Sequence, residues 1–272
     1  MDLLHAIVLG VVQGLTEFLP VSSSGHLILV PKLFGWDDQG LAFDVGLHAG
    51  TLVALLAYFW RDWATMALCG LDDLRNRGLA VRRFQQPSQL LLLIALGSIP
   101  AATAGLAFNS WIEDNLRQPW LVALMLIAVG VVMLIADRGS RRDRSIGDLG
   151  IVDAVVIGVS QAFALFPGVS RSGATISTGL VRGLDRESAA RFAFLLGTPA
   201  FVGAALLKFK DLTGNAIDST DLAVGFLTSA VVGFAVIHFL LGFLRRRSLA
   251  VFVVYRFGLG TLVLVLAVFG VF

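Results

Sequence analysis

Long apolar runs alternate with short charged connectors along this chain, and the lengths of the runs match the hydrocarbon core of a membrane. A helix needs about 20 predominantly apolar residues to cross that core. Six runs meet the requirement, at residues 41–60, 88–108, 119–136, 189–207, 222–244 and 249–271. Two further segments do not. Residues 3–34 are interrupted by Pro20, Ser22, Ser23, Ser24 and Gly25, and residues 151–180 by Pro167 and Gly168. Paired short segments broken by Pro, Gly and Ser in corresponding positions of two halves point to broken helices that meet near the membrane midplane. Such backbone is tolerated only where protein or a water-filled cavity covers it. The expected fold is an all-α polytopic membrane protein, with six transmembrane helices plus two re-entrant broken-helix hairpins.

The two broken segments are copies of one another. Offsetting residues 10–25 by 148 positions gives eight identities in sixteen, including Gln13 with Gln161, Ser22 with Ser170 and Ser24 with Ser172. A shared apolar bias does not place Gln, Ser and Ser in register, so the pattern reads as an internal duplication. Repeat one is expected over about 1–137 and repeat two over about 150–272. The copies differ where chemistry needs them to, since Glu17 pairs with Leu165 and Ser23 with Arg171.

Charge orients the spans. If each broken pair enters and leaves on one side, fifteen arginines lie on one face and four basic residues, Lys32, Arg117, Lys208 and Lys210, on the other. If each pair crossed once, the division would be eleven to eight. The positive-inside rule favours the first arrangement, which puts both termini outside the cytoplasm. Three crossings then separate the copies, so their orientations oppose and the repeat is inverted. The charged runs 72–86 and 137–148 read as solvated cytoplasmic connectors.

Composition excludes other classes. With 57% hydrophobic residues, 15% charged and a mean hydropathy of +0.83, the chain is not a soluble domain. Its +2 formal charge is small and its basic residues form no patch, so no nucleic-acid partner is expected. The single cysteine, Cys69, has no metal-ligand spacing around it and reads as a packing residue. The N-terminal run lacks a basic leader and a small-residue cleavage signature, so a cleaved signal peptide is not expected.

Polar groups at membrane depth are expensive and usually functional. Gln13 and Glu17 are four apart and share a helix face. The plain alternative is that Glu17 is satisfied by a neighbouring hydroxyl. Ser22, Ser23 and Ser24 could begin a helix whose amides face the site, or serve only as caps. His26, beside them, is either a packed core histidine or a proton carrier or nucleophile. In the second copy Ser170, Arg171 and Ser172 join a guanidinium to a helix start, the combination that phosphate recognition calls for. Arg256 is a further cation within a span, with interfacial snorkelling as its alternative. Asp44, His48 and His238 read as structural.

An anionic, proton-transferring set opposite a phosphate-binding set inside a membrane suggests chemistry on a lipid phosphate. The runs QGLTEFLPVSSSGH and PGVSRSGAT, with Tyr255, Arg256 and Phe257 near the end, resemble the signature motifs of the undecaprenyl pyrophosphate phosphatase family, also called the bacitracin resistance family. The resemblance implies hydrolysis of a long-chain prenyl pyrophosphate lipid in the bacterial inner membrane and dependence on Mg2+ or Ca2+. It assigns catalysis to Glu17, Ser23, His26 and Arg171. It gives phosphate binding to Ser170, Arg171 and Arg256 and metal binding to Glu17 and Gln13; the donor-rich tips add Ser22, Ser24 and Ser172 as expected phosphate binders. Gln13 stands where many relatives have Glu, which weakens a site built on two carboxylates. The expected mechanism is attack by Ser23, with His26 as the rival nucleophile. A transporter or flippase of prenyl phosphates, using the same inverted repeat, is the alternative of a different class. Oligomeric state is open, a homodimer being one option.

Overall fold

The computed structural model describes residues 2–37, 39–214 and 219–269. The predicted end of the last span at Val271 lies outside the described residues, as do the side chains of Lys208 and Lys210 from the charge count. The described residues are helical, in the order α1 (Leu3–Phe18), α2 (Ser23–Phe34), α3 (Leu41–Tyr58), α4 (Trp60–Arg77), α5 (Gln86–Asn115), α6 (Pro119–Gly139), α7 (Ile151–Phe163), α8 (Arg171–Val181), α9 (Arg186–Gly214), α10 (Ser219–Leu244) and α11 (Ala250–Val268). Among them, five helices are long and apolar enough to cross a membrane, α5, α6, α9, α10 and α11, and six if α3 and α4 count as one bent span. Helices α1 and α7 are apolar but shorter.

Both breaks fall where the sequence put them. Pro20 disfavours helical backbone at the residue before it. Leu19 accordingly turns extended, at φ −64° and ψ 141°, and α1 stops at Phe18. In the second segment Pro167 and Gly168 follow the end of α7, and Gly168 sits at φ +92°. A Cβ there would lie 2.5 Å from the Val122 carbonyl oxygen, so only glycine lets this turn rest on α6.

The charged run 72–86 is not a plain connector. Its first six residues are the end of α4, which leaves α3 at an angle of 65°. Leu68, Leu71 and Leu74 recur one turn apart on α4 and are 67%, 65% and 51% exposed, while Asp73 and Arg77 lie on the opposite face and Arg75 falls among the leucines. A helix of this pattern, turned away from the preceding span, suits the plane of a membrane interface. The second connector also ends in structure. Arg144 and Arg182 both hold the buried Asp153 at the start of α7, at 2.7 and 2.6 Å, and Arg186 holds Asp137 at 2.5 Å. These pairs anchor the base of the second broken segment.

Helix α1 packs on α10, α10 on α3, α7 on α5, and α6 on α11. Without a hydrophobic force between helices in lipid, close approach relies on small residues. Gly10 and Gly158, matched by the duplication, serve the same purpose: an added Cβ would lie 2.8 Å from the Gly225 carbonyl oxygen and 2.1 Å from that of Gly97. The largest buried cluster, including Phe18, Leu55, Phe59, Phe194 and Leu240, lies beside the two breaks, with Phe18 edge-on to Phe194 at 5.5 Å.

Candidate active site

The two breaks form tips of matching conformation. Ser22 and Ser170 cap α2 and α8 with φ of 78° and 72°, a region that side chains other than glycine rarely adopt. Each such residue costs on the order of 1–3 kcal/mol and persists only where its surroundings over-determine it. Ser22 Oγ accepts from the Gly25 amide at 3.4 Å, and Ser170 Oγ from the Gly173 amide at 3.1 Å. The next serine pairs repeat as well, Ser22 with Ser24 at 3.3 Å and Ser170 with Ser172 at 3.2 Å. Ser172 then crosses to the other tip, donating to the Leu19 carbonyl at 3.1 Å.

Glu17 lies where the tips meet, with its side chain 4% exposed. Its Oε2 accepts from Gln13 Nε2 at 2.7 Å and from Ser23 Oγ at 2.6 Å, while its Oε1 receives Arg171 Nη2. Arg171 is held from behind by the Phe201 ring, 3.4 Å from the guanidinium carbon to the centroid, and by the Gly197 carbonyl at 3.5 Å. The structure therefore brings together Gln13, Glu17, Ser23 and Arg171. A hydroxyl in contact with a carboxylate, beside a guanidinium, is the arrangement of an activated nucleophile with a clamp for developing negative charge.

His26 is placed differently. It is buried, its Nδ1 lies 2.7 Å from the Ser22 carbonyl oxygen and its Nε2 2.7 Å from the Tyr255 hydroxyl, against which its ring also stacks. A carbonyl only accepts, so Nδ1 carries the proton, and in neutral His26 the Nε2 lone pair accepts from Tyr255. Both ring nitrogens are thus engaged away from Ser23 and Glu17. His48 takes the place next to the carboxylate: its Nε2 is 3.5 Å from Glu17 Oε2 and its Nδ1 bonds the Asp44 carbonyl at 2.7 Å. His48 also lines a cavity of about 280 Å³, with Ser24, Asp44 and Arg117 on its polar wall and Leu27, Ile28, Ile112 and Phe201 among its apolar residues. A second cavity, of about 290 Å³ between α4 and α5, is remote from the tips and is lined by Asp62, which Arg191 already holds at 2.5 Å.

Arg256 reaches the tips without reaching the cavity. It is fully buried, and each of its three guanidinium nitrogens donates to main-chain carbonyls. Nε bonds Leu126 at 3.0 Å and Nη1 bonds Pro20 at 3.2 Å, while Nη2 serves Met125, Gly168 and Val169 at 3.2, 2.8 and 3.2 Å. Ser170 and Ser172 are buried and bonded within and between the tips, whereas Ser24 faces the cavity.

For a metal, the described residues offer no group of three from His, Cys, Asp and Glu. They do leave Gln13 Oε1 buried without a hydrogen-bond partner, on the amide whose Nε2 donates to Glu17. One carboxylate and one amide oxygen fit a hard cation that takes its remaining ligands from phosphate and water, the usual habit of Mg2+.

Sequence reasoning undervalued two residues here. His48 shares its otherwise apolar span with Asp44, one turn before it, and read as structural. Tyr255 entered only as part of a motif, while its partner His26 lies 229 positions away.

Comparison with known proteins gives the family of the chain. The chain is 47% identical over 263 residues to the undecaprenyl-diphosphatase of Moorella thermoacetica, covering 97% of each protein. It is 45% identical over 267 residues to that of Pelotomaculum thermopropionicum, covering 98% of this chain and 97% of the relative. The family model described as bacitracin resistance protein BacA matches residues 6–262, a stretch that contains both tips and Arg256, and the chain belongs to that family.

Proposed function

We propose that this chain hydrolyses undecaprenyl pyrophosphate to undecaprenyl phosphate and inorganic phosphate at the outer face of the membrane, and so recycles the carrier lipid of cell-wall synthesis. Family membership and the relatives' names support the substrate. The observation that carries the chemistry is the Ser23–Glu17–Arg171 contact.

The pyrophosphate enters the cavity at its Ser24, His48 and Arg117 wall, with the first isoprene units against Leu27, Ile28 and Phe201; Glu17 and Arg171 line an adjoining space of about 10 Å³ that shares Phe201 with it. Arg171 turns from Glu17 to the phosphate oxygens and neutralises charge as it builds. Glu17 takes the Ser23 proton while Ser23 Oγ bonds the terminal phosphorus. The bond from that phosphorus to the bridging oxygen breaks, and undecaprenyl phosphate leaves with the electron pair. Glu17 then sheds that proton to the cavity by way of His48. Water next bonds the phosphorus as the bond from phosphorus to Ser23 Oγ breaks, and Glu17 takes a proton from the water and returns it to Ser23 Oγ. His26 holds the loop that carries Ser23 through the Ser22 carbonyl, and Tyr255 occupies its other nitrogen. A divalent cation, Mg2+ or Ca2+, would be held by Glu17 and the Gln13 carbonyl and supplies positive charge to the phosphate oxygens when bound.

The same reading takes α1 with α2 and α7 with α8 as re-entrant hairpins of an inverted repeat, entering from opposite faces with their tips in contact. The similar φ values and caps at Ser22 and Ser170, the shortness of α1 and α7 and the charge division support it. In a Cys69→Ser background, a cysteine placed at Asn115 is expected to react with an impermeant maleimide from outside the cell, and one at Asp143 is not. The reverse labelling would overturn both the topology and the outward-facing site.

The activity itself is tested with purified protein in detergent. Inorganic phosphate should be released from undecaprenyl pyrophosphate, stop with a chelator and resume with Mg2+ or Ca2+. No release with any divalent cation would turn the reading to carriage of prenyl phosphates.

A further inference from the structure

Arg256 is the one described side chain recorded as bonding to both tips and to α6. Its partners are one carbonyl on the first tip, two on the second and two on the helix that supports them. A guanidinium has five N–H donors in a fixed fork. Here Nε and Nη2 are fully committed, Nη1 is bonded to Pro20, and no part of the residue is exposed. Among the described residues it has no carboxylate partner, so five carbonyl dipoles offset the cost of burying the charge. A phosphate binder needs free N–H groups aimed at the cavity, and this residue has them turned to the backbone.

The carbonyls it holds are also significant. Val169 immediately precedes Ser170, and Pro20 stands two before Ser22, the two serines at positive φ. Beyond those serines, α2 begins with Ser23 and α8 with Arg171, the two groups that meet on Glu17. Whatever fixes the spacing of Pro20 and Val169 fixes the spacing of nucleophile and clamp.

We propose that Arg256 is a positioning residue that staples the two tips by their main chains, setting the distance from Ser23 to Arg171 without touching the substrate. The proposal rests on the phosphatase reading for its kinetic test, and has a second test that needs no turnover. Lysine keeps the charge but has one compact ammonium, which cannot bond three separate segments in a planar fork. Arg256→Lys should therefore keep KM within about twofold and lower kcat by about ten- to a hundredfold, the scale of a misplacement of roughly an ångström. If the residue acted by its charge on phosphate, Arg256→Lys would be nearly normal in kcat while Arg256→Met raised KM. That outcome would overturn the staple.

Should Arg256→Lys fail to fold, wild-type protein labelled with 15N-arginine supplies the answer, with Arg171→Lys used to assign the two intramembrane arginines. The Arg256 Nε–H signal is expected to exchange slowly and to stay in place when a non-hydrolysable methylene-bridged prenyl diphosphonate binds, while the Arg171 signal moves. Movement of both signals together would show Arg256 at the phosphate and sink the proposal. Movement of neither would sink the phosphate-binding site itself.

Discussion

Replacing Ser23 with alanine is expected to abolish phosphate release while leaving binding of the prenyl pyrophosphate within about threefold of the wild type. Ser23 Oγ lies 2.6 Å from Glu17 Oε2, so the change removes the attacking oxygen and leaves Arg171, Gln13 and the tip amides in place. Losing a nucleophile costs far more than losing one binding contact, typically several orders of magnitude in kcat. His26→Ala should be impaired for another reason, because the Ser22 carbonyl and the Tyr255 hydroxyl both lose a partner and the loop carrying Ser23 loosens. The covalent intermediate separates the two. A phosphoserine survives acid and is lost in strong base, whereas a phosphohistidine is lost in acid. Brief incubation with terminally 32P-labelled lipid, acid quench and peptide mapping should place an acid-stable label on the peptide containing Ser23. Normal turnover in Ser23→Ala, with acid-labile label on His26, would exchange their roles.

The parts of this site that were legible in the sequence are those in which a side chain announces itself. Pro20, the serines and Gly25 interrupt an apolar run, and the chain breaks there. The matching serine 148 residues later, Ser170, takes the φ of Ser22 and caps its helix in the same way, although the turns before them differ, Pro20 being paired with Gly168 at φ +92°. Glu17 and Arg171 are opposite charges in apolar surroundings, and opposite charges removed from water find each other. Arg256 was equally visible as a charge, but its partners are carbonyl groups, which every residue carries, and no sequence pattern distinguishes a carbonyl that will accept from an arginine. The helix α4 was hidden for a different reason. Its aspartates and arginines suggest a solvated loop, while its leucines repeat at three-residue spacing, and only packing decides whether such a segment coils in water or lies on an interface. His48 is local to α3 by spacing, and its approach to Glu17 depends on how α3 meets α1.

Arg171→Ala and Glu17→Gln are each expected to lower turnover by at least about a hundredfold, the scale of a lost charge-stabilising donor or a lost proton acceptor. They differ in what they do to the folded protein. Arg171→Ala leaves a carboxylate with a 4% exposed side chain and no cation directly bonded to it, His48 being 3.5 Å away. Breaking a buried pair from one side costs roughly 3–5 kcal/mol, whereas removing both charges together is often close to neutral. The double variant Glu17→Gln, Arg171→Ala should therefore unfold at a higher temperature in detergent than Arg171→Ala alone, while its phosphate release stays at the level of the worse single variant. Stability recovers because the unpaired charge is gone; turnover does not, because base and clamp are both missing. Near-normal turnover in Arg171→Ala would remove the phosphate clamp from the mechanism. Additive losses of stability in the double variant would mean that the two charges are not coupled in the folded protein, and that Ser23 and Gln13 suffice to satisfy Glu17.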